Sequence, residues 1–167
     1  AARRRPLKPA STASRRAGVA ARAPAPLGRR PTRTGPGKTF SAGAELETLQ
    51  SISRRTADEN RADSEARRDL FVAMVNPPAP IIAAVNGPAL AGGCGLTTAC
   101  DHVIAAASAS FGYPEVKIGF VAAIVAPLLV RGIGERRARE LLLNGRTIDA
   151  DEAKTLGLIH EVVPAEE

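Results

Sequence analysis

Residues 81–101 read IIAAVNGPALAGGCGLTTACD, and the fold turns on how that stretch divides. Ile81–Val85 is a continuous apolar run between Pro80 and Asn86-Gly87, the form a buried strand takes. Ala91-Gly92-Gly93 is a turn of small residues, and a helix is expected from it to about Cys100. Strand, glycine turn and helix in that order predict an α/β fold.

The flanking sequence continues the alternation. Upstream, Ala44–Ser53 reads as a short helix and Thr56–Met74 as a longer one, ended by Pro77, Pro78 and Pro80. Downstream, His102–Ala106 is a second buried strand and Ser110–Gly112 a short third. Pro114–Lys117 is a turn or short helix, and Val121–Val130 and Gly134–Leu143 are apolar helices. Asp149 and Glu152 form a capping box for a helix over Ala150–Leu156, which Gly157 stops. Leu158–Val163 closes as a strand.

The net charge of +6 on 167 residues conceals a division. Ala1–Ala44 holds eleven Lys and Arg and no acid; the rest holds twelve against seventeen Asp and Glu and is mildly acidic. Residues 1–38 lack apolar periodicity and are interrupted by six prolines, so they are expected to be disordered, with a domain over 39–167. Three origins compete for this basic segment: an organellar targeting peptide, an arm for polyanions such as RNA, or a shifted gene start in GC-rich DNA. The stretch Gly35-Pro-Gly37-Lys38-Thr39 imitates a phosphate-binding loop, but Thr32 stands where that loop needs glycine.

Other classes are set aside on composition. Four Phe, one Tyr and no Trp leave little for stacking nucleic-acid bases. The longest apolar run, Val121–Val130, is far short of the roughly 20 residues that span a bilayer. Cys94 and Cys100 read as reduced packing residues of a cytoplasmic-type protein, and no cluster with metal-ligand spacing occurs.

Two segments carry candidate chemistry, Thr39–Leu46 (TFSAGAEL) and Asn86–Leu96 (NGPALAGGCGL). Each places small residues at a helix start, where backbone N–H groups lack intrahelical partners and the helix dipole adds positive potential. Two such starts aimed at one point would make an oxyanion hole. The glycines 92, 93 and 95 also admit a pure packing reading, and Glu115 a reading as a solvated turn carboxylate.

The patterns FSAGAEL, IAAVNGPALAGGC, ACD and FGYPEVKIG, with the tail LLNGRTIDADEAKTLGLIHEVVP, occur in order over about 130 residues. Together they resemble the enoyl-CoA hydratase/isomerase (crotonase) family. The resemblance implies a crotonase-like ββα spiral core, incomplete here, and an acyl-CoA thioester as substrate. It implies an oxyanion hole from the N–H groups of Ala42 and Gly92, and substrate contacts from Ala42, Gly43, Ala44, Glu45, Gly92, Gly93 and Pro114. Glu115 is implied as general acid/base. No metal or separate cofactor is implied, since coenzyme A is part of the substrate.

Hydratases of this family carry a second glutamate where this chain has Gly95. That departure points away from the standard hydratase and toward double-bond isomerisation without excluding a hydratase; hydration gained on Gly95→Glu would support the two-carboxylate account, and no change would weaken it. The resemblance also implies a homotrimer or hexamer, strands and an N-A-L segment before Phe40, and a helical region after Val163. These segments are not visible in the sequence, so the chain is expected to be truncated at both ends and weakly active or inactive alone. A polyanion-binding relative and an inactive fragment are the alternatives.

Overall fold

The computed structural model describes residues 32–43 and 50–165. The expected disorder of residues 1–31, and residues 44–49 of the expected first helix, lie outside them.

Two sheets form. In the first, β1 (Thr32–Arg33), β2 (Ile82–Val85), β4 (His102–Ala106) and β7 (Glu161–Val163) lie side by side in that order, all parallel. In the second, β3 (Ala89–Leu90) runs parallel to β5 (Ser110–Gly112), which pairs antiparallel with β6 (Thr147–Asp149). The described α-helices are α1 (Ala57–Val75), α2 (Gly92–Thr98), α3 (Ala126–Ile133), α4 (Glu135–Asn144) and α5 (Ala150–Leu156). The α/β expectation therefore holds, in the mixed arrangement of two small sheets.

Several elements depart from the sequence reading. The expected disorder reached Lys38, yet Thr32–Arg33 pairs with Ile82–Ala83. The reason lies in Asn86: its Oδ1 accepts the Gly35 N–H at 3.2 Å and its Nδ2 donates to the Gly37 carbonyl at 2.6 Å. That side chain pins the segment leading into Phe40. The helix expected from Val121 starts only at Ala126, because Pro127 belongs in a first helical turn and would clash with a preceding one. Strands β3 and β6 are too short to leave a periodic signature. The closing strand is confined to Glu161–Val163. In β2 and β4, Ala83, Val85, Val103 and Ala105 are buried while Ile82, Ala84 and Ile104 are half-buried, so one face is better covered than expected of the other.

The core lies between the sheets and the helices: Phe111 and Ile148 pair across β5 and β6, beside Leu129, Leu141 and Tyr113. Local signals start the helices where they should. Thr56 and Glu59 form a reciprocal capping box for α1, and Asp149 accepts the Glu152 N–H at 2.8 Å to open α5. The Arg146 guanidinium bridges Glu140 and Glu152, tying α4 to α5. At the seam of β4 and β7, His160 holds Val103 twice: its N–H donates to the Val103 carbonyl at 2.9 Å and its Nδ1 accepts the Val103 N–H at 3.1 Å.

Asp101 fastens the start of β2. Its Oδ2 accepts the Ile81 N–H at 2.7 Å, and its own N–H donates to the Ile81 carbonyl at 3.0 Å. Asp101→Ala should lower unfolding free energy by about 1–2 kcal/mol, the usual worth of such a bond to a carboxylate outside the deep core. Urea denaturation measures this; an unchanged midpoint would show that the bond contributes nothing net.

Candidate active site

The site is built where residues 40–43 lie against the start of α2. The Pro88 carbonyl accepts the N–H groups of Phe40 and Ser41 at 3.1 and 3.2 Å, and the Ser41 carbonyl accepts the Leu90 N–H at 2.9 Å. Ser41 thereby forms a parallel bridge with Ala89. Gly43 donates to the Ser41 hydroxyl at 3.3 Å. Ala42 sits between two amides that are already committed, and both Ala42 and Gly92 are exposed.

Close backbone approach makes this packing possible. A Cβ on Gly93 would lie 2.1 Å from the Ser41 carbonyl oxygen, so only glycine fits there. A Cβ on Gly43 would lie 3.0 Å from the Gly92 nitrogen, and Gly43 has φ +89°, which favours glycine. At Gly92 itself a Cβ would meet nothing nearer than 3.7 Å, from Gly43 Cα. The packing reading of the glycines is therefore right for Gly93 and unnecessary for Gly92. Ala91, just ahead of α2, holds φ 51° and ψ −127°, a strained backbone for a residue with a β-carbon.

The structure thus brings together the main chain of Ala42, Gly43, Gly92 and Gly93. Ala44 and Glu45 lie outside the described residues. Pro114 and Glu115 open a 3-10 turn, Pro114–Ile118, directly after β5, where the fixed φ of proline suits a first helical position. The Glu115 carbonyl accepts the Phe120 N–H at 3.0 Å, closing the turn. Glu115 Oε2 is sealed from solvent and has no hydrogen-bond partner among the described residues. Burial pushes its carboxyl above the ordinary range, against a smaller lowering by its own backbone. A solvated turn carboxylate would show neither property.

Beside it, the fully buried Cys94 thiol is pushed up to about 11 by desolvation. Cys94 is thus a packing residue, not a nucleophile. Tyr113 is buried too, its hydroxyl raised well above its ordinary value by desolvation, with a smaller contribution from Cys94.

Gly95 holds a surprise. A Cβ there would lie 2.6 Å from Val125 Cγ1 and 3.3 Å from Phe71 Cζ. Gly95 is thus also a packing glycine, and Gly95→Glu would have to displace Val125 and Phe71 before it could supply a second carboxylate. Sequence reasoning missed Val125, Phe71 and Tyr113. Only Tyr113 left a signal, as the one tyrosine of the chain and two residues before Glu115. Among the described residues no group of three His, Cys, Asp or Glu could hold a metal ion, and no helix is long and apolar enough to cross a membrane.

Comparison with known proteins places the chain in a family. Residues 33–167 match the family model described as enoyl-CoA hydratase/isomerase. A Thermus thermophilus relative, whose name assigns it provisionally to the enoyl-CoA hydratases, is 51% identical over 131 residues, covering 78% of this chain and 52% of the relative. Crotonyl-CoA hydratase of Syntrophomonas wolfei is 43% identical over 136 residues, covering 80% and 51%. The crystal structure of enoyl-CoA hydratase from Bacillus anthracis superposes with TM-score 0.74 at 39% identity, covering 81% of this chain and 52% of that one. The chain spans about half the length of the curated relatives it matches.

The glycine geometry makes a sharp contrast testable. Gly93→Ala should destabilise the chain by about 2 kcal/mol or more, because backbone must move. Gly92→Ala should stay within about 0.5 kcal/mol of the parent, since its space is open. Urea unfolding of the two variants checks the order; equal losses would contradict the close approach of Ser41.

Proposed function

The chain belongs to the enoyl-CoA hydratase/isomerase family, and from that premise we propose that residues 39–167 bind an acyl-CoA thioester and move a proton at the carbon next to its carbonyl. The thioester oxygen is received by the N–H groups of Ala42 and Gly92. Gly43, Ala44, Glu45, Gly93 and Pro114 line the approach. Each such donor stabilises a developing oxyanion by about 2.7–4 kcal/mol in comparable enzymes. The reading asks for no cofactor beyond the coenzyme A carried by the substrate.

Glu115 supplies the acid/base group. In its ionised form it takes the α-proton; the C–H electron pair becomes the enolate, whose charge rests on the thioester oxygen between the two amides. In a 3-enoyl substrate the protonated Glu115 then delivers that proton to the γ-carbon, and the double bond shifts to the 2-position. One carboxylate completes both steps. The observation that carries this reading is the sealed, partnerless Glu115 Oε2, a carboxyl held in a state that accepts and returns a proton readily.

Isomerisation is favoured over hydration by the contents of the space beside Gly95. Water addition in this family uses a second carboxylate to hold the water, whereas here Val125 and Phe71 present hydrocarbon. A glutamate at residue 95 would have to displace Val125 Cγ1, which a β-carbon there would meet at 2.6 Å.

Deuterium incorporation at the α-carbon of butyryl-CoA in D2O, followed by mass spectrometry, tests the proposal on the chain itself. Exchange should be present in the parent and at least 100-fold slower in Glu115→Gln. It should rise with pH through the raised Glu115 value, because only the ionised carboxylate abstracts a proton. Equal rates in parent and variant would overturn the assignment.

Stability should respond in the opposite sense. A carboxyl raised in the folded state contributes stability below its unfolded value that is lost as pH rises through the folded value. Glu115→Gln should therefore unfold at higher urea than the parent at pH 7 and lose this advantage near pH 4. A variant no more stable than the parent at pH 7 would contradict a destabilised carboxylate.

A further inference from the structure

One buried hydroxyl is not used by the chemistry above. The Tyr113 hydroxyl lies 2.7 Å from Thr98 Oγ1, and Thr98 Oγ1 lies 3.0 Å from the Cys94 carbonyl, to which it donates. With the single Thr98 proton aimed at that carbonyl, Tyr113 is the donor to Thr98. The polar end of Tyr113 is thus tied through Thr98 to the last turn of α2, while the residue is 1% exposed in the core.

The position of this tie in the chain gives it a consequence. Tyr113 stands between the end of β5 and Pro114, where the 3-10 turn bearing Glu115 begins. Behind it, the Gly112 carbonyl accepts the Ala91 N–H at 2.9 Å, at the entry to α2. The two ties grip different ends of the helix, one at its entry and one at its last residue. Together they fix the Glu115 turn in both distance and rotation against α2. From the far side the turn rests on Gly145, where a Cβ would lie 2.7 Å from Val116 Cγ1.

We propose that Tyr113 is a positioning residue: its bond to Thr98 holds the Glu115 carboxyl, whose Oε2 is sealed and has no hydrogen-bond partner among the described residues, against the helix whose first N–H groups receive the thioester oxygen. The proposal rests on the acyl-CoA reading for its meaning, but its geometry can be tested without turnover. Loosening this tie admits water to Glu115 Oε2. The titratable groups whose fields couple to Glu115 are Cys94 on α2 and Tyr113 itself, both held neutral by burial, so water entry is what a titration reports.

The test is a carbon-13 NMR titration of Glu115 in the full chain, alongside urea unfolding. Tyr113→Phe keeps the ring and removes the hydroxyl; Thr98→Val removes its partner; Thr98→Ser keeps the partner. The Glu115 titration should move down toward the ordinary carboxylate range in the first two variants and stay at the parent value in Thr98→Ser. If Tyr113→Phe and Thr98→Val lose stability while Glu115 titrates as in the parent, Tyr113 is structural only and the proposal is overturned. A Tyr113→Phe chain that fails to fold leaves the Thr98→Val and Thr98→Ser pair to decide. Because the titration needs no substrate, failure of α-proton exchange and failure of this proposal are separate results.

Discussion

The Ser41 carbonyl occupies the place where a β-carbon on residue 93 would have to stand, and the site depends on that vacancy. Because Gly93 offers bare backbone, the segment through Ser41 can lie flat on the opening of α2. The Pro88 carbonyl and the Leu90 N–H can then complete the parallel bridge to Ala89. Only at that separation does Gly43 come within reach of the Gly92 nitrogen. A bulkier residue would lift residues 40–43 as a unit and part the two main-chain segments. The requirement is steric, yet it decides an electrostatic arrangement.

The same short helix organises what lies around it. Its entry meets residues 41–43. One face carries Cys94 and Thr98 to Tyr113, and another turns Gly95 toward Val125 and Phe71. Seven residues serve three neighbours because five of them are buried and two of those, Gly93 and Gly95, lie too close to their neighbours for a β-carbon. Beside this helix, Glu115 Oε2 has no hydrogen-bond partner among the described residues, and desolvation outweighs what its own backbone does for the carboxylate. A destabilised ionised form is a cost to the fold and, in the proposed chemistry, the source of its reactivity.

The sequence made the central strands, the capped helices and the glycine turn legible, because each has a local cause. Ile81–Val85 is apolar throughout, Thr56 and Asp149 carry their caps beside them, and Pro80 and Gly157 end what precedes them. Strands β1, β3 and β6 were hidden, since two or three residues cannot show a period and their pairing is decided by distant partners. Asn86 is the telling instance. It reads locally as a turn residue, while its side chain captures Gly35 and Gly37 some fifty positions earlier. Within the site, the roles proposed for Ala42, Gly92 and Glu115 rest on the resemblance that motif order carries. The filling of Gly95 by Val125 did not, because the motif records which side chain is missing and is silent about what replaces it.

The hold of His160 on Val103 carries a condition that sheet hydrogen bonds lack. An imidazole nitrogen that accepts an amide proton at Nδ1 must keep its own hydrogen on Nε2. A second proton would land where the amide already points, setting two donors face to face. Desolvation, and after it the neighbouring His102 ring 4.3 Å away, hold His160 below its ordinary range, with Glu161 opposing them. Stability from this neutral ring is intact above the usual histidine value and drains away as acid drives the unfolded chain to take up the proton first. The last strand of the parallel sheet is therefore fastened by a clasp that mild acid weakens, while the carboxyl in the site gains from the same acid.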